Sequence, residues 1–100
     1  AVEIEDILLK HPDVREAAAI GVPDAVRGQV VKAFLVTTRA TDAAFVREIQ
    51  EFVRERLSAH EYPRHVAIVA ELPKTPAGKI NRKVLREREA ATPSLKGQGS

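Results

Sequence analysis

One hundred residues suffice for one compact domain with a core of modest size, and not for two independent cores. Hydrophobic residues make up 44% and charged residues 30%, a soluble globular balance that excludes disordered and fibrous chains. The 16 Lys and Arg against 14 Asp and Glu leave a net charge of +2, weak grounds for a nucleic-acid partner, and the lack of Cys excludes disulfides and thiolate metal sites.

A cytoplasmic location is therefore the expectation, with no membrane partner. The opening AVEIEDILLK has neither a basic n-region nor a long apolar h-region, and no apolar run approaches the roughly 18 residues of a membrane helix. Ile4, Ile7 and Leu8 form one apolar stripe on a short helix that Pro12 stops. Residues 14–22 (VREAAAIGV) and 29–38 (QVVKAFLVTT) read as strands. The short VPDAVRG link between them favours antiparallel pairing, with Gly28 supplying turn geometry and Arg27 solvated or paired to an acid. Over residues 42–59, Phe45, Val46, Ile49, Phe52, Val53 and Leu57 recur at helical spacing. Residues 65–70 (HVAIVA) follow as a third strand, and strand, helix and strand in succession imply a right-handed crossover between parallel strands. The fold class predicted is α+β, a small mixed three-stranded sheet flanked by helices. Two prolines and a glycine in ELPKTPAGKI demand an ordered loop or short hairpin, after which helical spacing returns over residues 80–91 through Ile80, Val84 and Leu85. Residues 1–91 read as the domain and 92–100 as a disordered tail.

Residues 73–82 (PKTPAGKINR) hold three cations, a hydroxyl and a glycine just before a predicted helix. Gly78 permits close backbone approach, the helix N-terminus offers free amide hydrogens, and Lys79 presents a flexible point charge to a phosphate or carboxylate. Spacing alone leaves two readings open, an anion site or a Pro/Gly loop with solvated lysines. A P-loop is excluded, since Pro73 stands where that motif needs glycine and Ile80 where it needs Ser or Thr. His11, His60 and His65 lack metal-ligand spacing and read as solvated, so no metal site is expected.

The loop resembles the last signature of the adenylate-forming superfamily, PKTxxGKxxR, matched by Pro73, Lys74, Thr75, Gly78, Lys79 and Arg82. VEIEDILLKHPDV, AAIGVPDAVRGQVVKAFLV and YPRHVAIVAELPKT also look like the C-terminal domain of that family's acyl-CoA synthetases, in the family's order. The wording is nearest to the medium-chain and benzoate-type ligases. The resemblance implies a two-step ligase: ATP and a carboxylic acid give an acyl-adenylate and pyrophosphate, and CoA then displaces AMP. It implies that Lys79 is the catalytic lysine of the first step, carried on a mobile loop with Thr75 and Gly78 in a substrate- and phosphate-binding segment. It implies CoA contacts at Arg64 and Tyr62 in the stretch 61–64, and at Arg54, whose alternative is a solvated helix arginine. ATP and Mg2+ would be held mainly by an N-terminal domain preceding Ala1, the chain's first partner, and this fragment alone would be inactive. An exposed Lys79 would also suit a protein lysine acetyltransferase as partner. Two alternatives are the closing part of a peptide synthetase adenylation domain and, from RKVLRERE and the high pI, a small basic nucleic-acid-binding module.

Overall fold

The computed structural model describes residues 2–38, 42–57 and 62–91. Three helices and three strands follow one another: α1 (Val2–Leu8), β1 (Val14–Asp24), β2 (Gly28–Thr37), α2 (Ala43–Arg56), β3 (His65–Ile68) and α3 (Arg82–Ala91). The sheet order is β1-β2-β3, with β1 and β2 antiparallel and β2 and β3 parallel, so the sheet is mixed as the order of predicted elements required. The residues assigned to the tail, 92–100, lie outside the described ones.

Boundaries moved where backbone chemistry intervened. The first two strands run further into their link than predicted, leaving a turn of Ala25, Val26 and Arg27 that Gly28 closes at φ 79°. A Cβ at Gly28 would meet nothing within 4 Å, so backbone conformation and not space favours glycine there. Asp24 stabilises the same turn: its Oδ2 accepts the amides of Arg27 at 2.8 Å and Val26 at 3.1 Å, and the Arg27 guanidinium lies 3.8 Å away. Asp42 lies outside the long helix as its N-cap, its Oδ1 accepting the Phe45 amide at 2.9 Å. The last helix starts at Arg82, because Ile80 pairs with Lys74 in a small antiparallel bridge and Asn81 caps the helix by accepting the Val84 amide.

Alternation along β1 and β2 builds two cores, one on each face of the sheet. Ala17, Ala19, Ala33 and Leu35 face α1 and α2, where Ile4, Leu8, Phe45, Ile49 and Val53 pack against them. Ala18, Ile20, Val22 and Phe34 face the other way, toward Leu72 and Leu85, with Ile80 partly buried beside them. Burying each large aliphatic or aromatic side chain contributes about 1.5–3 kcal/mol before entropy is counted.

One ion pair joins the two layers around the outer edge of β1. Glu5 of α1 is only 5% exposed, and its Oε2 accepts both the Ala19 amide at 2.7 Å and Arg82 Nε at 2.8 Å, while Arg82 Nη2 donates to Oε1. This carboxylate raises the pKa of the Arg82 guanidinium above its ordinary value. A second, more exposed pair sets Lys74 Nζ 3.2 Å from Glu16 Oε1 and 3.4 Å from Oε2; only the longer contact has hydrogen-bond geometry, so the shorter one is Coulombic. The two pairs should differ sharply on truncation. Arg82→Ala leaves a buried carboxylate uncompensated and is expected to cost about 3 kcal/mol. Lys74→Ala, at a solvated pair, should cost under about 1 kcal/mol in the same urea-denaturation series.

The turn at Asp24 gives a pH prediction. The amides of Arg27 and Val26 and the nearby Arg27 charge hold the Asp24 carboxyl below the usual carboxylate range, the Arg27 amide most of all. A depressed folded-state pKa means that this stabilisation is complete at neutral pH and is lost as pH falls below about 4. The Val26 and Arg27 amide chemical shifts should move together through that acid range, and Asp24→Asn should remove the transition.

Candidate functional site

The signature segment folds as a small hairpin. Thr75, Pro76, Ala77 and Gly78 form a turn in which the Gly78 amide donates to Thr75 O at 2.8 Å, with proline at its second position and glycine at its fourth. Gly78 has φ 85° with open space around it, the left-handed conformation that glycine alone adopts without strain. The arms close through Thr75 N–H to Lys79 O at 2.7 Å and Asn81 N–H to Pro73 O at 2.8 Å, and Thr75 Oγ1 accepts the Lys79 amide at 3.3 Å. Thr75 and Gly78 thus shape the turn that carries Lys79.

The helix amides expected beside Lys79 are displaced from it. The helix begins at Arg82, beyond the hairpin, and the Val84 amide is already bonded to Asn81. What remains at Lys79 is its side chain. Of the three signature cations, Arg82 is committed to Glu5 and Lys74 to Glu16, whereas Lys79 is exposed and its ammonium has no carboxylate partner among the described residues. Two of the three charges bind the hairpin to the domain, and one faces solvent.

Arg54, Tyr62 and Arg64 come together elsewhere. The Arg54 and Arg64 guanidinium carbons stand 5.1 Å and 5.0 Å from the centre of the Tyr62 ring, within cation–π range. Arg54 also donates to Glu51 at 2.8 Å, while Arg64 has no carboxylate partner among the described residues. Glu61, at the head of that predicted segment, lies outside the described residues. Tyr62 packs on the core facing α1 and α2, and Ile80 on the opposite core, so the arginine cluster and the lysine hairpin occupy opposite faces of the sheet. Sequence reasoning did not find Gln50, whose Nε2 donates to the carbonyls of Pro63 and Arg64 at 3.1 and 3.2 Å and fixes the cluster's backbone. A half-polar position on an amphipathic helix carries no signal for that role.

His11 corrects the reading of the histidines as solvated. It is 5% exposed, edge-on to Phe45 and Phe52, and ties the α1–β1 link to α2. Its Nδ1 accepts the Asp13 amide at 3.1 Å, which leaves the ring proton on Nε2 to meet Glu48 Oε2 at 2.6 Å. His11, Asp13 and Glu48 bring potential ligand atoms within 4.8 Å of one another, but both ring nitrogens are already engaged, and the arrangement reads as a structural link. His65 is exposed and His60 lies outside the described residues. Along RKVLRERE, Lys83, Arg86 and Arg88 alternate with Glu87 and Glu89, and Glu89 holds Lys32 at 2.8 Å, which breaks up a uniform basic face. Among the described residues no helix is long and apolar enough to cross a membrane.

Comparison with known proteins accounts for this arrangement. The family model described as the AMP-binding enzyme C-terminal domain matches residues 3–79. Acyl-coenzyme A synthetase ACSM5 of Homo sapiens, named as mitochondrial, is 49% identical over 92 residues, which cover 88% of this chain and 16% of that protein. The 4-hydroxybutyrate–CoA ligase 1 of Metallosphaera sedula is 47% identical over 89 residues, again 16% of its length. Among solved structures, an acyl-CoA synthetase of Brucella canis superposes with a TM-score of 0.86 at 47% identity, covering 90% of this chain and 17% of that one. The chain thus spans about a sixth of the length of the relatives it matches. With most of its length matched by the family model and with relatives of that identity, the chain belongs to the AMP-binding enzyme C-terminal domain family.

Proposed function

We propose that this chain is the small domain of an AMP-forming acyl-CoA synthetase and that Lys79 is the adenylation lysine it contributes to an active site built mainly by an N-terminal domain. The observation that carries this reading is the division of the signature cations: Lys74 and Arg82 are neutralised within the domain, and Lys79 alone extends from a tied hairpin without a partner among the described residues. The relatives compared are CoA ligases, which supports a CoA acceptor over the carrier domain of a peptide synthetase.

In the first step a substrate carboxylate oxygen attacks the α-phosphorus of ATP and pyrophosphate leaves. Two anions must approach, and an ammonium between them offsets their repulsion and stabilises charge developing in the transition state. Lys79 supplies that charge on a flexible stem, while Thr75 and Gly78 hold the turn beneath it. ATP and Mg2+ are assigned mainly to the N-terminal domain. In the second step CoA displaces AMP at the acyl carbonyl. Arg64 fits a CoA phosphate, because its guanidinium has no carboxylate partner among the described residues and its backbone is fixed by Gln50 and by a 3.0 Å bond from its amide to Val31 O. Tyr62 then supports guanidinium groups first and an adenine ring second, and Arg54, held by Glu51, is the weaker phosphate ligand. Since the two groups lie on opposite faces, the domain must turn between the steps.

An exposed ammonium with no carboxylate partner among the described residues is also open to an acetyltransferase, and acetylation would erase the charge on which the first step depends. The compartment proposed is the cytoplasm; the mitochondrion, carried in the name of the human relative, is the alternative that cell fractionation separates.

Lys79→Ala in the full-length enzyme should slow adenylation ~10²–10³-fold, read by ATP–pyrophosphate exchange, while thioester formation from supplied acyl-adenylate and CoA continues. Equal loss in both half-reactions would refute the assignment. Arg64→Ala should raise the KM for CoA about tenfold or more, the loss of a charge-assisted contact, and leave pyrophosphate exchange intact; an unchanged KM would place CoA elsewhere.

A further inference from the structure

The hairpin that carries Lys79 would be a poor tool if it stood free. A 1 Å displacement of a reacting group costs about a hundredfold in rate, and a lysine stem adds its own rotamer freedom. The hairpin's own hydrogen bonds fix its shape but not its place on the domain. Ile80 seats one arm on the core beside Leu72, and ion pairs act where the arms leave the hairpin. Lys74, on the outgoing arm, pairs with Glu16 of β1, and Arg82, immediately after Asn81 closes the returning arm, pairs with Glu5 of α1.

The Glu5–Arg82 pair dominates. Glu5 is almost wholly buried and three donor groups fill its oxygens, one from the β1 edge and two from one guanidinium. A buried ion pair is weak grounds for stability, because apolar residues of equal volume often serve as well. A forked guanidinium on a carboxylate instead fixes direction and register, which an apolar contact does not.

We propose that Glu5 and Arg82 are positioning residues for Lys79: their ion pair sets the base of the hairpin against the β1 edge, with Lys74–Glu16 as a weaker second tether, so that the ammonium enters the adenylation site on an arm already placed. The proposal rests on the reading of Lys79 as the adenylation lysine. It gives the signature arginine a role toward Glu5 through Nε and Nη2.

The test uses the full-length enzyme carrying Glu5→Gln, alone and in a Lys79→Ala background. Glutamine keeps an acceptor for the Ala19 amide but loses the charge that holds Arg82. Adenylation kcat should fall about tenfold with the KM for ATP within about twofold, and thioester formation from supplied acyl-adenylate should stay within about twofold. Combined with Lys79→Ala, Glu5→Gln should add no further loss, as expected of two residues acting through one group. The Thr75, Gly78 and Asn81 amides should exchange with solvent about tenfold faster, while amides of the β1–β2 ladder keep their protection. Arg82→Lys, which retains the positive charge but not the fork, should show the same split with a smaller loss and serves if Glu5→Gln does not fold. Unchanged exchange at the hairpin amides would overturn the tether. Equal losses in the two half-reactions, or the same added loss in the Lys79→Ala background, would reduce the pair to a general structural role and overturn the proposal. Normal pyrophosphate exchange by Lys79→Ala itself would overturn the underlying reading of Lys79, and this role with it, whatever the exchange data show.

Discussion

A carboxylate almost fully removed from water has to be answered by donors, and around Glu5 those donors come from two distant parts of the chain. Its own helix, α1, carries it; the edge strand β1 gives the Ala19 amide; and α3 gives a two-pronged guanidinium. This group links the two layers around the edge of the sheet as well as across it. The Ala19 amide also matters in its own right, since an edge strand with unsatisfied amides invites pairing with another chain, and a buried acid covers one of them.

From that anchor the rest of the chemistry sorts itself by charge. Three cations in one short segment repel one another, yet here each has a separate fate. Two are matched by acids that lie far away in sequence, at positions 5 and 16, and the third is left to the solvent. Charge pairing here leaves one group available, and makes that group's surroundings stiff. The same logic appears in reduced form on the opposite face, where Glu51 takes Arg54 while Arg64, beside the same aromatic ring, has no carboxylate partner among the described residues.

Much of this was legible from sequence. The order of strands and helices gave the mixed sheet, because a tight link and a helical crossover allow little else. The apolar run of residues 14–22 read as a strand without revealing that its successive alanines serve different cores. Helix ends were less legible: Ile80 fits the apolar spacing of α3 yet belongs to the hairpin, since Asn81 can cap and Gly78 has already turned the chain. The signature pattern marked Lys79 as the candidate and its segment as a turn or hairpin, but it names Lys74, Lys79 and Arg82 alike. Only long-range pairing separates them, and no local pattern predicts that a glutamate in the first helix will meet an arginine in the last. His11 was misread for a similar reason, because its partners Phe45, Glu48 and Phe52 lie on a helix more than thirty residues away.

The two faces of the sheet have one further consequence. Tyr62 and its arginines rest on one core and the lysine hairpin on the other, with the sheet between them. Substitutions on either side should therefore combine with little coupling, as those at well-separated sites do. A lineage could rework the arginine face for a different partner molecule, residue by residue, while the lysine arm stayed as it was, and neither change would have to wait for the other.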